Sequence, residues 1–119
     1  MPVQIMYRQV LYNGEISYDG ESFILSFSDN NNSINEMCFT INEKQCVIKY
    51  NELSKAYNRA SLQKNSIPLI LYDYFSKLGS NFTFESENEK YYYIKRACNE
   101  FSVELRVEKD VQIYYIEIK

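Results

Sequence analysis

Apolar and polar residues alternate with period two over most of the first fifty positions, a pattern typical of strands with one buried face. The clearest run is 23–27, where phenylalanine and leucine occupy every second position. Dipeptides that favour tight turns, and one polar stretch, separate these runs. The predicted strands are 3–12, 16–18, 22–28, 37–41 and 46–50. The predicted turns and loops are Asn13-Gly14, Asp19-Gly20, 29–33 and 42–45.

In the middle of the chain the apolar spacing changes to a helical period. A first helix is predicted after Asn51, a suitable N-cap, because four apolar residues then recur at i, i+3, i+4 and i+7. A second helix is predicted from Pro68 to Leu78, since a proline in the first turn loses no needed N–H, and Gly79 is its stop. The stripe of the first helix is Leu53, Ala56, Tyr57 and Ala60.

The last third of the chain combines strand and helix signals. Residues 81–85 are predicted as a strand, and 86–89 match a capping box, which favours a helix from there to Phe101. The tyrosine-rich start of that segment favours a strand by propensity, so both interpretations of 88–100 stay open, with the helix preferred. Alternating residues at 103–107 and 111–118 predict a C-terminal hairpin.

This order of elements predicts an α+β protein, with a curved antiparallel sheet or small open β-barrel and two or three helices. The 119 residues contain no linker, which predicts a single domain over 1–119. The longest apolar run is far shorter than the roughly 20 residues that cross a bilayer, and the N-terminus lacks the pattern of a signal peptide. A cytoplasmic protein without a membrane partner is therefore expected.

The composition removes most catalytic chemistry. The chain has no histidine, so nucleophile pairs that need an imidazole base are excluded. Cys38, Cys46 and Cys98 are scattered, and we expect them to be small buried hydrophobes. The carboxylates that follow 85 can hold a hard cation in principle, but a solvated face is the simpler interpretation. We therefore expect neither an enzyme nor a cofactor.

Charge is distributed unevenly along the chain. The net charge is −3, yet residues 44–64 carry five basic residues against one acidic residue. Such a cationic segment is typical of proteins that contact nucleic-acid phosphates, because lysine and arginine release bound counterions. A solvated helix face is the alternative interpretation. The candidate nucleic-acid-binding residues in this segment are Lys49, Lys55, Arg59 and Lys64.

A second candidate is the run Lys90–Arg96, which interleaves three tyrosines with basic residues. Surfaces that bind single-stranded RNA combine aromatic and basic side chains in this way. The alternative is that some tyrosines pack inside and the others merely cover the surface. The candidate binding residues here are Tyr92, Lys95 and Arg96.

The first third of the chain is instead anionic, which suggests a surface that mimics nucleic acid or blocks a basic protein. This pattern favours a second hypothesis, a protein-binding inhibitor or immunity factor from a mobile element. Its partner would be a host protein rather than RNA. The acidic residues concerned are Glu15, Asp19, Glu21, Asp29, Glu36 and Glu43.

In length and element order, with a β-rich start, two adjacent helices at 52–79 and a strand-rich end, the chain resembles small PUA-like regulatory proteins of Gram-positive pheromone-responsive conjugative plasmids. Its usage of Asn, Ile, Lys and Tyr suits a low-GC mobile element. The resemblance has no diagnostic motif, so no residue is carried over. It implies control of surface-protein expression or conjugation through RNA binding. The leading hypothesis is therefore a small non-enzymatic RNA-binding regulator.

Overall fold

A ten-stranded sheet dominates the computed structural model of the chain, which describes residues 1–28, 37–79, 81–110 and 114–119. In chain order the strands are β1 (Pro2–Tyr7), β2 (Val10–Tyr18), β3 (Phe23–Ser28), β4 (Met37–Ile41), β5 (Gln45–Tyr50), β6 (Leu53–Asn58), β7 (Ser86–Glu87), β8 (Tyr91–Cys98), β9 (Phe101–Glu108) and β10 (Tyr114–Ile118). Their order across the sheet is β6-β5-β4-β3-β2-β1-β10-β9-β8-β7. Neighbours are antiparallel, except that β1 and β10 lie parallel to each other at the centre.

The central strand β1 illustrates how the alternating sequence divides the sheet into two faces. Val3, Ile5 and Tyr7 are buried, while the residues between them are half-buried. In register with Ile5 lies Ile116 of β10, which is also fully buried. Period-two alternation therefore gives the sheet an inner face that carries the core and an outer face without a covering helix in the described residues.

The inner face is covered by α1 (Ile67–Leu78), which packs against β3, β4 and β8. Seven of its twelve residues are buried, as the apolar run after Ser66 requires. Pro68 lies in the first turn, and Gly79 ends the helix with φ 84° while its N–H donates to the carbonyl of Phe75. This helix was predicted correctly.

The predicted fold class is wrong. Strands account for 57% and helices for 14% of the described residues, and these contain one α-helix rather than two or three. The sheet is mixed, since β1 and β10 are parallel, and it does not close into a barrel. Within the same ranges, no helix combines the length and the apolar character needed to cross a membrane.

The first half of the sheet confirms most of the predicted strands, as well as the Asp19-Gly20 turn. The carboxylate of Asp19 accepts hydrogen bonds from the N–H groups of Glu21 and Ser22, and Gly20 has φ 98°. The turn at 42–45 is confirmed too, because the side-chain oxygen of Asn42 accepts from two following N–H groups. The predicted loop 29–33 lies outside the described residues.

The predicted turn at Asn13-Gly14 is wrong, because both residues lie inside β2. The chain turns earlier, at Arg8 and Gln9, whose φ angles of 50° and 67° match a tight hairpin. Gly14 serves a different purpose. A Cβ atom at this position would lie 2.1 Å from the carbonyl oxygen of Ser26 on β3, so glycine permits close approach of two backbones.

The predicted helix after Asn51 is also wrong. Asn51, with φ 55°, lies in the turn of a hairpin, and β6 pairs with β5 along its whole length. The apparent helical stripe finds no core, since Leu53 at its start is 75% exposed. Cross-strand pairing prevails over local spacing here, and the remaining helical character is the short 3-10 turn Arg59–Ser61.

The interpretation of 88–100 as a helix is wrong as well, because this segment forms strand β8. The residues read as a capping box instead make a turn, in which the side-chain oxygen of Asn88 accepts from the N–H groups of Lys90 and Tyr91. Residues 81–85, predicted as a strand, precede the two-residue β7 without belonging to a strand. The C-terminal hairpin is confirmed by the antiparallel pair β9–β10, whose predicted residues 111–113 lie outside the described ranges.

Candidate nucleic-acid interface

A cleft of about 900 Å³ opens between one end of the sheet and α1. Its walls come from the β4–β5 turn, the end of β6, the 3-10 turn, the first half of α1 and the β8–β9 turn. The charged residues that line it are Lys44, Arg59, Lys64, Glu43 and Asp73. Three cations of the basic segment 44–64 thus converge on one concave surface.

Arg59 contacts α1 at the wall of the cleft. Its Nη2 lies 3.1 Å from Oδ1 of Asp73, and its Cζ lies 4.6 Å from the ring centroid of Tyr72. Both contacts are made to α1, so they fasten the 3-10 turn to the helix. Since Asp73 offsets part of its charge, Arg59 contributes shape and hydrogen-bond donors more than net charge.

Lys44 and Lys64 contribute the unpaired charge. Both side chains are exposed, and within the described residues neither forms an ion pair. Lys44 lies beside Arg59, because the N–H of Arg59 donates to the carbonyl of Lys44 at 3.1 Å. Two ammonium groups without an ion-pair partner in the described ranges therefore line the same cleft as the guanidinium of Arg59.

Asn58 directs the chain from the sheet edge into the cleft. Its side-chain oxygen accepts from the N–H of Ala60 at 3.3 Å, and its carbonyl accepts from the hydroxyl of Ser61 at 2.6 Å. These bonds form the local cap that ends β6 and starts the 3-10 turn. The backbone thus presents Tyr57 and Arg59 to the same concave surface.

The structure brings together only part of the predicted cationic patch. Arg59 and Lys64 line the cleft, whereas Lys49 and Lys55 do not. Lys49 lies opposite Cys38 on the outer face, and Lys55 lies on the inner face with its Nζ 5.2 Å from the Tyr57 ring centroid. The patch was predicted where a strand end and a helix lie side by side, but both lysines lie on paired strands, and the alternation of side chains places them on opposite faces. Lys44 was not predicted as a site residue. The feature that would have identified it is the register of the β5–β6 hairpin, which places it opposite Arg59.

The second predicted surface, within Lys90–Arg96, is split between the two faces of the sheet. Tyr92 and Arg96 share a face with Ile94, whereas Lys95 lies on the other face opposite Glu104. Arg96 is neutralised by Glu85, with Nη1 2.6 Å from Oε2. Tyr92 is 42% exposed. The three residues therefore do not share one face, because adjacent residues of a strand point in opposite directions.

The ring of Tyr92 belongs to an edge cluster. The Nζ of Lys109 lies 4.8 Å from its centroid and 2.8 Å from Oε2 of Glu87, while the Phe84 ring lies 6.2 Å away. These contacts tie β7 and the residues before it to β8 and β9. The cation over the exposed ring is therefore already paired with the carboxylate of Glu87.

On the outer face, sequence reasoning missed a stack of tyrosine and arginine. The Cζ of Arg106 lies 4.0 Å from the Tyr115 centroid and 4.9 Å from that of Tyr91, whose ring lies 5.6 Å from Tyr93. Arg106 Nε is buried without a hydrogen-bond partner. The carboxylate of Glu104 lies 3.9 Å from Arg106 Nη1. The alternation of side chains along β8 to β10 brings these residues together on one face. The contacts of Arg106 are therefore made within the protein itself.

The remaining candidates for chemistry are dispersed. The described residues hold no group of three acidic or cysteine side chains that can bind a metal ion. Cys46 and Cys98 are buried, as predicted, and desolvation raises the pKa of both thiols, while Cys38 is half-buried. Of the acidic residues in the first third, Glu15 lies on β2, Asp19 and Glu21 in the next turn and Glu43 in the cleft. Asp29 and Glu36 lie outside the described residues.

The Glu85–Arg96 ion pair predicts a pH effect. The hydrogen bonds from Arg96 hold the pKa of Glu85 below its ordinary value of 4.5. Because the folded-state pKa is lowered, the pair stabilises the fold above pH 4.5, and this contribution is lost as pH falls through the folded-state pKa. An NMR titration of the Glu85 carboxyl should give a midpoint below 4.5 that returns toward 4.5 in Arg96→Gln. An unchanged midpoint in this variant would contradict the assignment.

No family model, curated protein or solved structure matches the chain.

Proposed function

We propose that the protein is a small non-enzymatic regulator that binds RNA through the cleft beside α1. The observation that carries this proposal is the convergence of Lys44, Arg59 and Lys64 on a cleft of about 900 Å³. Ammonium groups that lack a carboxylate partner can contact phosphates and release counterions, which is the main source of affinity for nucleic acid. With a net charge of −3, the protein depends on a local site for any such contact.

The lining of the cleft also suits bases of an unpaired strand. Tyr57 offers an aromatic ring, and the amide side chains of Gln45, Asn58 and Asn99 offer both donors and acceptors. Single-stranded segments expose base edges and faces that such groups can contact, whereas a duplex hides them. Glu43 and Asp73 limit the net attraction, so the site fits a short segment with few phosphates.

A binding experiment with charge reversal tests the proposal. Fluorescence anisotropy should detect binding of labelled single-stranded RNA at low salt, with weaker binding at moderate salt. The double variant Lys44→Glu/Lys64→Glu is expected to bind at least about tenfold more weakly, and to lower the slope of log affinity against log salt by about 2, one for each lysine. Arg59 is left unchanged because it fastens the 3-10 turn to α1.

Lys49→Glu/Lys90→Glu is the matched control, because it makes the same change of charge at two exposed lysines that do not line the cleft. Lys90 is exposed and precedes β8, whereas Asn99, which lines the cleft, follows the other end of that strand. Absence of RNA binding by the wild-type chain, or equal weakening by the control, would refute the cleft as an RNA site. A partner from a lysate that survives nuclease treatment would instead favour the protein-binding alternative.

The regulatory role is a separate prediction, which comes from the resemblance to plasmid regulators. The resemblance to plasmid regulators rested on element order, including two helices at 52–79, and the structure has one α-helix there. Control of surface-protein expression or conjugation therefore stays a prediction. Comparing mRNA and protein levels of a reporter for plasmid-encoded surface proteins, with wild-type chain and the double variant, tests it.

A further inference from the structure

The two edges of the sheet differ in how far they are protected. At one edge β7 has only two residues and carries Glu87, and a short charged edge of this kind resists pairing with another chain. At the other edge β6 has six residues, of which all except Tyr57 are exposed. Its one charged side chain is Lys55, and it contains no proline. By this comparison β6 is open to a further strand.

The hydrogen-bonding groups that β6 offers can be assigned from its ladder with β5. The N–H of Arg59 donates to the carbonyl of Lys44, which fixes the alternation of bonded pairs along the hairpin. The backbone groups of Ser54, Ala56 and Asn58 therefore point away from β5. Among the described residues no backbone group bonds those of Ser54 or Ala56.

We propose that β6 pairs antiparallel with β6 of a second copy of this chain, with Ala56 facing Ala56 across a twofold axis. Five registers pair an outward residue with an outward residue, and the number of paired residues and side-chain chemistry separate them. With Ser54 facing Ala56, the two Lys55 side chains stand directly opposite each other, which is destabilising. With Ser54 facing Ser54, or Ala56 facing Asn58, only three residues of each strand are paired, and with Asn58 facing Asn58 only one is paired.

The register centred on Ala56 pairs the five residues from Ser54 to Asn58. Lys55 of each copy then lies opposite Tyr57 of the other copy. Within one chain these two residues already form a cation–π contact, and the same kind of contact can form across the interface at both places. On the other face the opposed residues are small or polar, which allows close approach. The interface is isologous, as a dimer of identical chains requires.

This dimer has a consequence that rests on the RNA-binding function proposed above. Residues that face each other in a sheet point to the same side, so the two clefts would open on the same side, at opposite ends of the paired strands. One RNA strand can then engage both clefts. Binding of the second cleft becomes intramolecular, which raises affinity without any new contact.

The oligomeric state is tested without RNA, so that its outcome is independent of the RNA-binding proposal. Size-exclusion chromatography with light-scattering detection of the full chain should give twice the monomer mass of 14.2 kDa. Ala56→Pro removes an outward N–H, and Ala56→Glu places two like charges opposite each other. Both variants should elute as folded monomers. Ala97→Glu, at an exposed position of β8, should remain dimeric.

Disulfide trapping tests the register. Ala56→Cys should form a cross-linked dimer under mild oxidation, because facing residues of a bonded antiparallel pair have Cα atoms about 5.5 Å apart, within the range of a disulfide. Ser54→Cys, on the same face, should not exceed wild-type cross-linking. A wild-type chain that is monomeric at all concentrations overturns the proposal. Dimers that persist in both Ala56→Pro and Ala56→Glu, or cross-linking at 54 but not at 56, overturn it as well.

Discussion

Replacing Phe75 with alanine is expected to lower the free energy of unfolding by about 3–5 kcal/mol, the usual cost of truncating a buried phenylalanine. Phe75 is 1% exposed and lies at the centre of an aromatic cluster on α1. Its ring centroid is 5.6 Å from that of Phe23 on β3, 5.4 Å from Tyr74 and 6.1 Å from Phe82. The cavity left by its removal would loosen the helix that carries Asp73 and so the wall of the cleft. Urea unfolding followed by circular dichroism measures the loss.

Phe84→Ala is the comparison variant, since Phe84 is half-buried and contacts Phe82 and Tyr92 at the edge of the molecule. The same atoms are removed there, but part of the ring already meets water, so we expect a smaller loss of stability. If Phe84→Ala destabilised the protein as much as Phe75→Ala, the assignment of Phe75 as the centre of the core would be wrong.

Gly14→Ala is expected to cost at least about 3 kcal/mol, at or above the upper end of ordinary overpacking. The added methyl group would lie 2.1 Å from a backbone carbonyl oxygen of β3, which cannot move aside as a side chain can. Strands β2 and β3 would have to separate, and their pairing connects the two halves of the sheet. Thermal and urea unfolding of the purified variant check this expectation.

Gly79→Ala is the contrasting variant. At Gly14 an added methyl group has no space, whereas at Gly79 only the backbone conformation requires glycine. Nothing lies within 4 Å of a Cβ at Gly79, but its φ of 84° and ψ of 177° suit glycine almost alone. The expected cost is conformational only, about 1–3 kcal/mol. A larger loss at Gly79 than at Gly14 would show that the β2–β3 contact is not as close as described.

Sequence patterns predicted those elements whose local signal agrees with their tertiary environment. In α1 the apolar run, Pro68 and Gly79 all point to a helix, and the helix exists because its residues are buried. In β3 the buried residues Phe23 and Leu25 lie on either side of the exposed Ile24, which matches a strand with one buried face. Where local signal and burial agree, the sequence is sufficient.

The wrong predictions concern positions whose structure is determined by contacts with residues distant in sequence. Leu53 and Ala56 have helical spacing, yet the hairpin with β5 makes their segment an edge strand. The pair Asn13-Gly14 is a strong turn signal, but only the approach of Ser26 explains why glycine is required there. For the same reason, Arg59 and Lys64 were among the predicted binding residues, whereas Lys44, which also lines the cleft, was not, because its position depends on the hairpin register.

The parallel pair β1–β10 has a consequence for synthesis of the chain. β1 and β2 can pair as soon as they leave the ribosome, since a tight turn joins them, but the opposite edge of β1 must wait until β10 has been made. Until then the middle of the future sheet is an open, apolar edge, which is a site for misassociation. Such long-range pairing also slows the search for the native state. The nascent chain is therefore expected to depend on chaperones until its last strand inserts.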